Sequence, residues 1–263
     1  MKAVLCLLFS LPGGALAESP RVAEMIARAD AEERQHRTRP ALTALRAAER
    51  LEPENVGILL RISKQYSDLI GQTEPREAAK AVAERSLDYA KRAAALAPSN
   101  AKARLSLAVA YGKLTDFVGN RTRLEYSKIV KEEALKAIQL DPSDDFAWHV
   151  LGRWHCGVAN VGGTTRTMAK LIYGGLPAAS NEEAVRHFQR AVEIAPRRII
   201  HHRELARVYI SMGKLESARR CWQTIVQLPS GDGEDAKAKQ EAAQELAKPE
   251  KRENSKAPAE PER

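Results

Sequence analysis

The chain has 263 residues, enough for one elongated repeat domain or for one to two compact domains. Lys and Arg total 42 and Asp and Glu total 34, so the net charge is +8. Straight-chain helix formers dominate and the chain holds only three cysteines, which excludes a collagen, a disulfide scaffold and a membrane bundle.

The first 17 residues have the pattern of an export signal. Lys2 provides the positive start, an apolar run follows over residues 3–11, and Ala15-Leu16-Ala17 matches the small-x-small cleavage pattern. The apolar run is too short to span a bilayer. We therefore expect cleavage after residue 17 and an exported protein, either periplasmic or secreted. A cytosolic protein with an apolar first turn is the alternative.

A proline signal that ends a helix recurs five times in the rest of the chain. Each signal is an apolar residue, then usually one small or acidic residue, then proline. Proline cannot continue the helix that precedes it, so each signal predicts the end of the second helix of a pair. The five prolines are Pro53, Pro98, Pro142, Pro196 and Pro229.

The helices themselves carry a second repeated pattern. Small and apolar residues spaced four and three apart precede each proline, as Ala184, Phe188 and Ala191 do, and lie on one helix face. In the first helix of the fourth unit, Trp148-x-x-Leu151-Gly152-x-x-His155 follows the tetratricopeptide signature, with His where Tyr is usual. The sequence therefore predicts an all-α, tetratricopeptide-type α-solenoid of about five helix pairs in residues 20–229. A generic amphipathic helical protein is the alternative.

The units are interrupted. The second and third hold about ten extra residues between their helices, and the fourth holds about twenty, where we expect an insert helix near residues 165–174. Residues 233–247 are predicted to form a polar capping helix, which completes a repeat domain over residues 18–247. Residues 248–263 are charged and lack an apolar period, so we expect a disordered tail.

Four stretches carry a family resemblance: residues 61–68, residues 147–154, residues 130–132 leading to Leu140-Asp141-Pro142, and the insert with its exit at residues 169–184. Through them, residues 60–246 resemble the regulator of microtubule dynamics family, here in an exported, bacterial-looking version. The resemblance implies a tetratricopeptide domain with interrupted units. It also implies the properties of eukaryotic members, which are linked to microtubules or bind anionic lipid at membrane contact sites.

Motifs for catalysis are missing from the sequence. It has no His-Glu-x-x-His, no Cys-x-x-Cys and no phosphate-binding loop. His201 and His202 are adjacent, so they face different ways on a helix and would chelate poorly. Cys156 and Cys221 fall on different helix pairs, and we expect two unpaired buried thiols. The sequence therefore predicts a non-catalytic protein without a metal or cofactor.

The first helices of a helical-repeat solenoid line its concave face. In each first helix, the core pair is the apolar residue and the small residue that follows it in the signature, as at Leu151-Gly152. The residues just before and after this pair project into the concave face. They are basic in four units but acidic in the first, at Asp30 and Glu33. With two residues of the insert, they make up the predicted partner-binding surface, named here the basic groove. Its members are Lys64, Lys102, Lys113, His149, Arg153, Arg166, Lys170, Arg203 and Arg207. Ordinary solvated surface charge is the alternative interpretation.

Two functions fit this surface. The first is a scaffold whose basic groove holds an acidic peptide or protein segment. The second is an anionic-lipid module, whose cavity beneath the inserts would be lined by Leu105, Val109, Ile172 and Tyr173. Nucleic acid is a weaker third partner, because export and the lack of exposed aromatic residues oppose it. A flat, polar groove would favour the peptide, and an apolar cavity would favour the lipid.

Overall fold

A computed structural model describes residues 20–231 and 233–248. In this part of the chain every regular element is a helix, which confirms the all-α prediction. The predicted signal at residues 1–17 and the predicted tail beyond residue 248 lie outside the described residues. Across the described residues, every helix is too short or too polar to span a lipid bilayer.

Five helix pairs, one insert helix and one final helix follow each other in the described residues. The pairs are α1 (Pro20–Arg34) with α2 (Thr38–Leu51), α3 (Val56–Leu69) with α4 (Arg76–Leu96), α5 (Ala101–Leu114) with α6 (Asn120–Leu140), α7 (Asp145–Ala159) with α9 (Asn181–Ile194), and α10 (Ile199–Ser211) with α11 (Leu215–Gln227). The insert helix is α8 (Gly163–Tyr173) and the final helix is α12 (Gly233–Ala247). The structure confirms the predicted tetratricopeptide-type solenoid.

The extra residues of the second and third units extend their second helices. Helices α4 and α6 have 21 residues each, whereas α9 has 14 and α11 has 13. One turn of 3-10 helix follows α3 at Ile70–Gln72, and another follows α5 at Thr115–Phe117. The first turns of α4, Arg-Glu-Ala-Ala-Lys-Ala, consist of strong helix formers, so the inserted segment continues as helix.

The proline turns also fix where the next helix begins. Asn55, Asn100 and Asp144 each lie two residues after a proline, and each side chain accepts a hydrogen bond from a backbone N–H of the first helical turn. Such caps satisfy donors that have no partner inside the helix. The repeated Pro-x-Asn or Pro-x-Asp sequence therefore ends one helix and starts the next.

Small residues allow the two helices of a pair to approach closely. A Cβ atom added at Gly152 of α7 would lie 2.9 Å from the ring of Phe188 on α9. Phe188 is completely buried, as are Ala184 and Ala191 on the same face of α9. This contact confirms the packing role that the tetratricopeptide signature assigns to the glycine.

The first helices of successive pairs form one layer. Helix α3 contacts α5, α5 contacts α7, and α7 contacts α10, while α12 packs against both α10 and α11. The two ends of the array also meet. His36, in the turn after α1, and Gly231, just before α12, are joined by a hydrogen bond of 2.8 Å between Nε2 and the carbonyl oxygen.

Candidate partner-binding face

Three residues of the basic groove that lie on the inner layer of helices are exposed and free of ion pairs. They are Lys102 and Lys113 of α5 and Arg153 of α7, and none has a carboxylate within 4 Å among residues 20–231 and 233–248. We name these three residues the groove cations. They lie on neighbouring helices of the inner layer, since α5 contacts α7.

Other members of the basic groove are already paired with acids. Lys64 lies 2.6 Å from Asp68 one turn further along α3, and Arg203 lies 3.5 Å from Glu204. Because these carboxylates compensate the positive charges, Lys64 and Arg203 offer less attraction to an outside anion than the groove cations do.

Arg207 has the most complete set of partners. Its guanidinium donates to both carboxylate oxygens of Glu241 on α12, at 2.8 and 2.7 Å, and to Glu204 at 3.1 Å. The hydrogen bonds to Glu241 raise the pKa of Arg207 above its ordinary value. Sequence reasoning missed this pairing, because Glu241 belongs to a helix that was interpreted only as a polar cap.

His149 is not on the open surface, which corrects the sequence expectation of an exposed groove residue. Only 1% of the residue is exposed, because α10 packs across α7 at this position. Its Nδ1 lies 3.0 Å from Nδ1 of His201, and its ring contacts Phe146 and Phe188. An outside partner cannot reach His149 while this contact is closed.

The two insert residues have different surroundings. Arg166 donates to the carbonyl oxygens of Val158 at 3.1 Å and Ala159 at 2.8 Å, which are among the last carbonyls of α7. A cation at this end of a helix is favourable. Lys170 is exposed and makes no ion pair in the described part of the chain. Arg166 therefore links α8 to the C-terminal end of α7 by hydrogen bonds. Apart from this link, α8 makes few contacts with other helices.

The acidic end of the concave face is also compensated. Arg61 on α3 forms ion pairs with Asp30 at 2.6 Å and with Glu33 at 3.0 Å, both on α1. Gln65 donates a further hydrogen bond to Glu33. Arg61 lies immediately before the core pair of its unit, but its partners are about thirty residues away, so sequence spacing gave no signal for this bridge.

The residues predicted to line a lipid cavity are not brought together. Leu105 is buried against Ala137 and Ala147 in the packed core, whereas Ile172 on α8 is 55% exposed. The side chain of residue 173 lies outside the described part of the structure. A groove of about 450 Å³ occurs elsewhere, between α4 and the start of α6, and both acidic and basic side chains line it.

The two cysteines of the described chain are free thiols. Cys156 is half-buried and Cys221 is buried, and burial raises the pKa of Cys221 to about 11. Among the described residues, no group of three His, Cys, Asp or Glu side chains is placed to hold a metal ion. A buried thiol with a raised pKa is mostly protonated and is a poor nucleophile near neutral pH.

These helix pairs define a tetratricopeptide-type α-solenoid, a helical protein-interaction domain. A thermophilic tetratricopeptide protein of Thermus thermophilus has a similar fold, with a TM-score of 0.65 and 15% identity. The alignment covers 86% of this chain and 98% of that one.

The chain belongs to the regulator of microtubule dynamics family, whose model for proteins 1-3 matches residues 25–250. It is 29% identical to regulator of microtubule dynamics protein 3 of Xenopus laevis over 178 residues, which are 67% of this chain and 38% of that protein. It is 30% identical to protein 1 of Bos taurus over 189 residues, 72% of this chain and 59% of that protein. The chain thus spans less than two thirds of the length of these relatives.

Proposed function

We propose that this chain is a non-catalytic binding protein that holds an acidic peptide or protein segment against its concave face. The observation that carries the proposal is the set of groove cations, Lys102, Lys113 and Arg153. Within the described residues none of them forms an ion pair, and Lys102 has only a longer-range attraction to Asp141, whereas Lys64 and Arg207 are paired directly. A segment that brings carboxylates to this face would supply the missing partners, and complementary charge gives both specificity and faster association.

The spacing along α5 suggests the form of the acidic segment. Lys102 and Lys113 are eleven residues apart near opposite ends of the helix, which corresponds to about 16 Å along its axis. An extended peptide covers that distance in about five residues. Between the two lysines, half-buried Val109 packs beside Leu105 and offers an apolar contact. A preferred partner would therefore carry acidic residues about five positions apart, with an apolar residue between them.

The export pattern at residues 1–17 places this binding outside the cytoplasm in our proposal, in the periplasm or in the surrounding medium. The partner would then be an exported or surface protein. The regulator of microtubule dynamics family takes its name from a cytoskeletal role, which such a location would not use.

A second candidate function is attachment to anionic lipid, supported by the insert helix α8. Leu171 is 80% exposed and Ile172 55% exposed, and Met168 is also exposed. Helix α8 carries Lys170 and contains no acidic residue. Helices with an exposed apolar face and lysines lie in the headgroup region of anionic membranes. This surface differs from the cavity expected from the sequence, because its apolar side chains are exposed to solvent.

One experiment separates the two candidates. We would compare Lys113→Glu/Arg153→Glu with the matched control Arg85→Glu/Lys128→Glu, whose residues are exposed on α4 and α6 and make no ion pair among the described residues. The probes are a fluorescent peptide with two glutamates five residues apart, its glutamine version, and phosphatidylcholine vesicles with and without phosphatidylglycerol.

Loss of binding to the glutamate peptide in the groove variant, but not in the control, supports the proposed function. Equal loss in both variants would mean that only net charge matters. Absence of peptide binding by the wild type would overturn the proposal. Binding to anionic vesicles that Leu171→Gln abolishes would support the lipid function instead.

A further inference from the structure

Histidines are concentrated where α7, α9 and α10 meet. Five of the six histidines in the chain lie on these three helices: His149, His155, His187, His201 and His202. The central pair joins two inner helices, since His149 belongs to α7 and His201 to α10. Together with Asp145, which also lies on α7, this pair is named here the histidine joint.

Hydrogen bonding fixes the protons of the histidine joint. Nε2 of His201 lies 2.6 Å from Oδ2 of Asp145, so this nitrogen carries a proton and donates it to the carboxylate. A neutral His201 then has an unprotonated Nδ1, which can only accept from Nδ1 of His149 at 3.0 Å. His149 is therefore protonated on Nδ1 and unprotonated on Nε2. That Nε2 is buried and has no hydrogen-bond partner within the described part of the chain.

We propose that the contact between α7 and α10 is acid-sensitive, and that it opens when the buried His149–His201 pair takes up a proton. A proton on Nδ1 of His201 converts the acceptor into a donor, so two N–H groups would face each other across 3.0 Å. A proton on Nε2 of His149 would place a charge beside the rings of Phe146 and Phe188. In a third arrangement His201 donates to Nδ1 of His149 and the proton of His149 moves to Nε2, which keeps the bond between the rings but leaves a buried N–H without an acceptor. Each arrangement that holds one more proton therefore leaves the closed contact with an unsatisfied donor or a buried charge.

The charges around the histidine joint oppose protonation of His149. Burial lowers its pKa well below the ordinary 6.5, and His201 and Arg153 lower it further. Burial also lowers the pKa of His201, although its hydrogen bond to Asp145 acts in the opposite direction. The other charged or titratable groups facing this cluster are Lys131 on α6, Glu183, Arg186 and His187 on α9, and Arg198, His202, Arg203 and Glu204 at or on α10.

A second histidine pair, His155 and His187, also resists protonation while it is buried. His155 of α7 and His187 of α9 have ring centroids 5.1 Å apart, and Nδ1 of His155 is buried without a hydrogen-bond partner among the described residues. Burial, with a further contribution from His187, lowers the pKa of His155 from 6.5 to about 4.

The sign of the pH dependence follows from these lowered pKa values. A histidine that is exposed to water after the helices separate binds a proton more readily than the same histidine buried in the closed contact. Opening is therefore unfavourable above about pH 6.5 and becomes easier as the pH falls below that value, toward the lower pKa values of the closed form. This range includes the mildly acidic conditions at which histidines act as switches.

The opening would involve the last helices as a unit. Leu205 of α10, Trp222 of α11 and Ala242 of α12 share one buried core, which also includes Ala184 and Phe188 of α9, so the last three helices would move together and stay attached to α9. Movement of α10 away from α7 would expose the inner faces of both helices. This inference does not depend on the identity of the partner that binds the groove cations.

Hydrogen exchange measured by mass spectrometry tests the inference on the full chain, at about pH 7.5 and about pH 5, on either side of the ordinary histidine pKa. After correction for intrinsic exchange rates, acid should accelerate exchange in α7 and α10 about tenfold per pH unit below the ordinary histidine pKa for each histidine that opening exposes, or about 30-fold per histidine at pH 5. Helices α2 and α3 serve as an internal reference. Uniform acceleration, or none, would overturn the inference.

Two variants complete the test. His149→Asn keeps a donor near the position of Nδ1 but cannot titrate, so the acid-induced acceleration should fall by the share that His149 contributes, while His201 and His155 still titrate. His36→Asn removes the one histidine outside α7, α9 and α10 together with its hydrogen bond to Gly231, so it can raise exchange at both pH values but should leave the acid-induced acceleration intact. If His149→Asn does not fold, NMR titration of the wild type decides: His149 and His201 should titrate together with the opening. Titration of both without increased exchange would contradict the inference.

Discussion

Arg207 of α10 and Glu241 of α12 form a bidentate ion pair, with nitrogen–oxygen distances of 2.8 and 2.7 Å. The pair connects an inner helix of the solenoid to the helix that covers its end. It also compensates a positive charge that would otherwise add to the concave face. Helix α12 therefore influences both the stability of the last unit and the charge that a partner meets.

Replacing Glu241 by Gln should separate these two effects. Both side chains are partly exposed, so the loss of the ion pair should lower the free energy of unfolding by no more than about 1 kcal/mol. Binding of an acidic peptide should become tighter, because the charge of Arg207 would then be compensated by Glu204 alone among the described residues. Thermal melting and peptide titration measure the two outcomes. Glu245→Gln is the control, since among the described residues Glu245 pairs with Lys248, just after its own helix, and not with a groove residue. Equal tightening of peptide binding in both variants would contradict the prediction.

Gly152→Ala should destabilise the fourth helix pair. The added Cβ would lie 2.9 Å from the ring of Phe188, and overpacking of this kind typically costs about 1–3 kcal/mol. Gly157→Ala on the same helix is the matched control, because its Cβ would meet nothing within 4 Å. A helical alanine is more favourable than glycine by roughly 0.5–1 kcal/mol, so this control should be neutral or stabilising. Equal melting temperatures for the two variants would show that the ring of Phe188 moves away from the added Cβ without loss of stability.

Binding of an acidic peptide to the groove cations should weaken as salt rises. Exposed charges are screened over about 8 Å at physiological ionic strength and over about 3 Å at 1 M salt. Fluorescence titration at several salt concentrations measures the slope. For Lys113→Glu/Arg153→Glu the slope should be much smaller than for the wild type, since fewer charges remain to be screened. A wild-type affinity that does not change with salt would mean that apolar contacts dominate.

Export with cleavage after residue 17 predicts a definite mature mass. Expression of the whole chain in a host with a general secretion pathway, followed by intact-mass measurement of the extracytoplasmic fraction, should give a protein that begins at Glu18. Replacing Ala15 and Ala17 by larger residues should leave the signal attached. A protein that still begins at Met1 in that fraction would contradict cleavage.

The fold could be predicted from the sequence because its signals are local. Each proline stops one helix, and Asn55, Asn100 and Asp144 cap the next within two residues. The small residues needed for close packing recur at fixed offsets from those prolines. The sequence pattern predicts the insert helix to within two residues of α8. It does not predict that the extra residues of the second and third units lengthen α4 and α6.

The site was less predictable, because its charges depend on contacts between distant parts of the chain. Arg61 pairs with Asp30, and Arg207 pairs with Glu241, across more than thirty residues. His149 occupies a sequence position that faces outward in a single helix pair, but α10 covers it. Periodicity shows which side of a helix a residue occupies, and it does not show which neighbouring helix will cover that side.

The hydrogen bond between His36 and Gly231 has a consequence for how this protein could evolve. An open solenoid can gain or lose repeats at either end, because each repeat contacts only its neighbours. Here the turn after α1 meets the residue that leads into α12, so the number of helix pairs is tied to the curvature of the array. A sixth pair would displace one of these two residues from the other. Duplication of a unit, a common route to new repeat proteins, would therefore disrupt this contact.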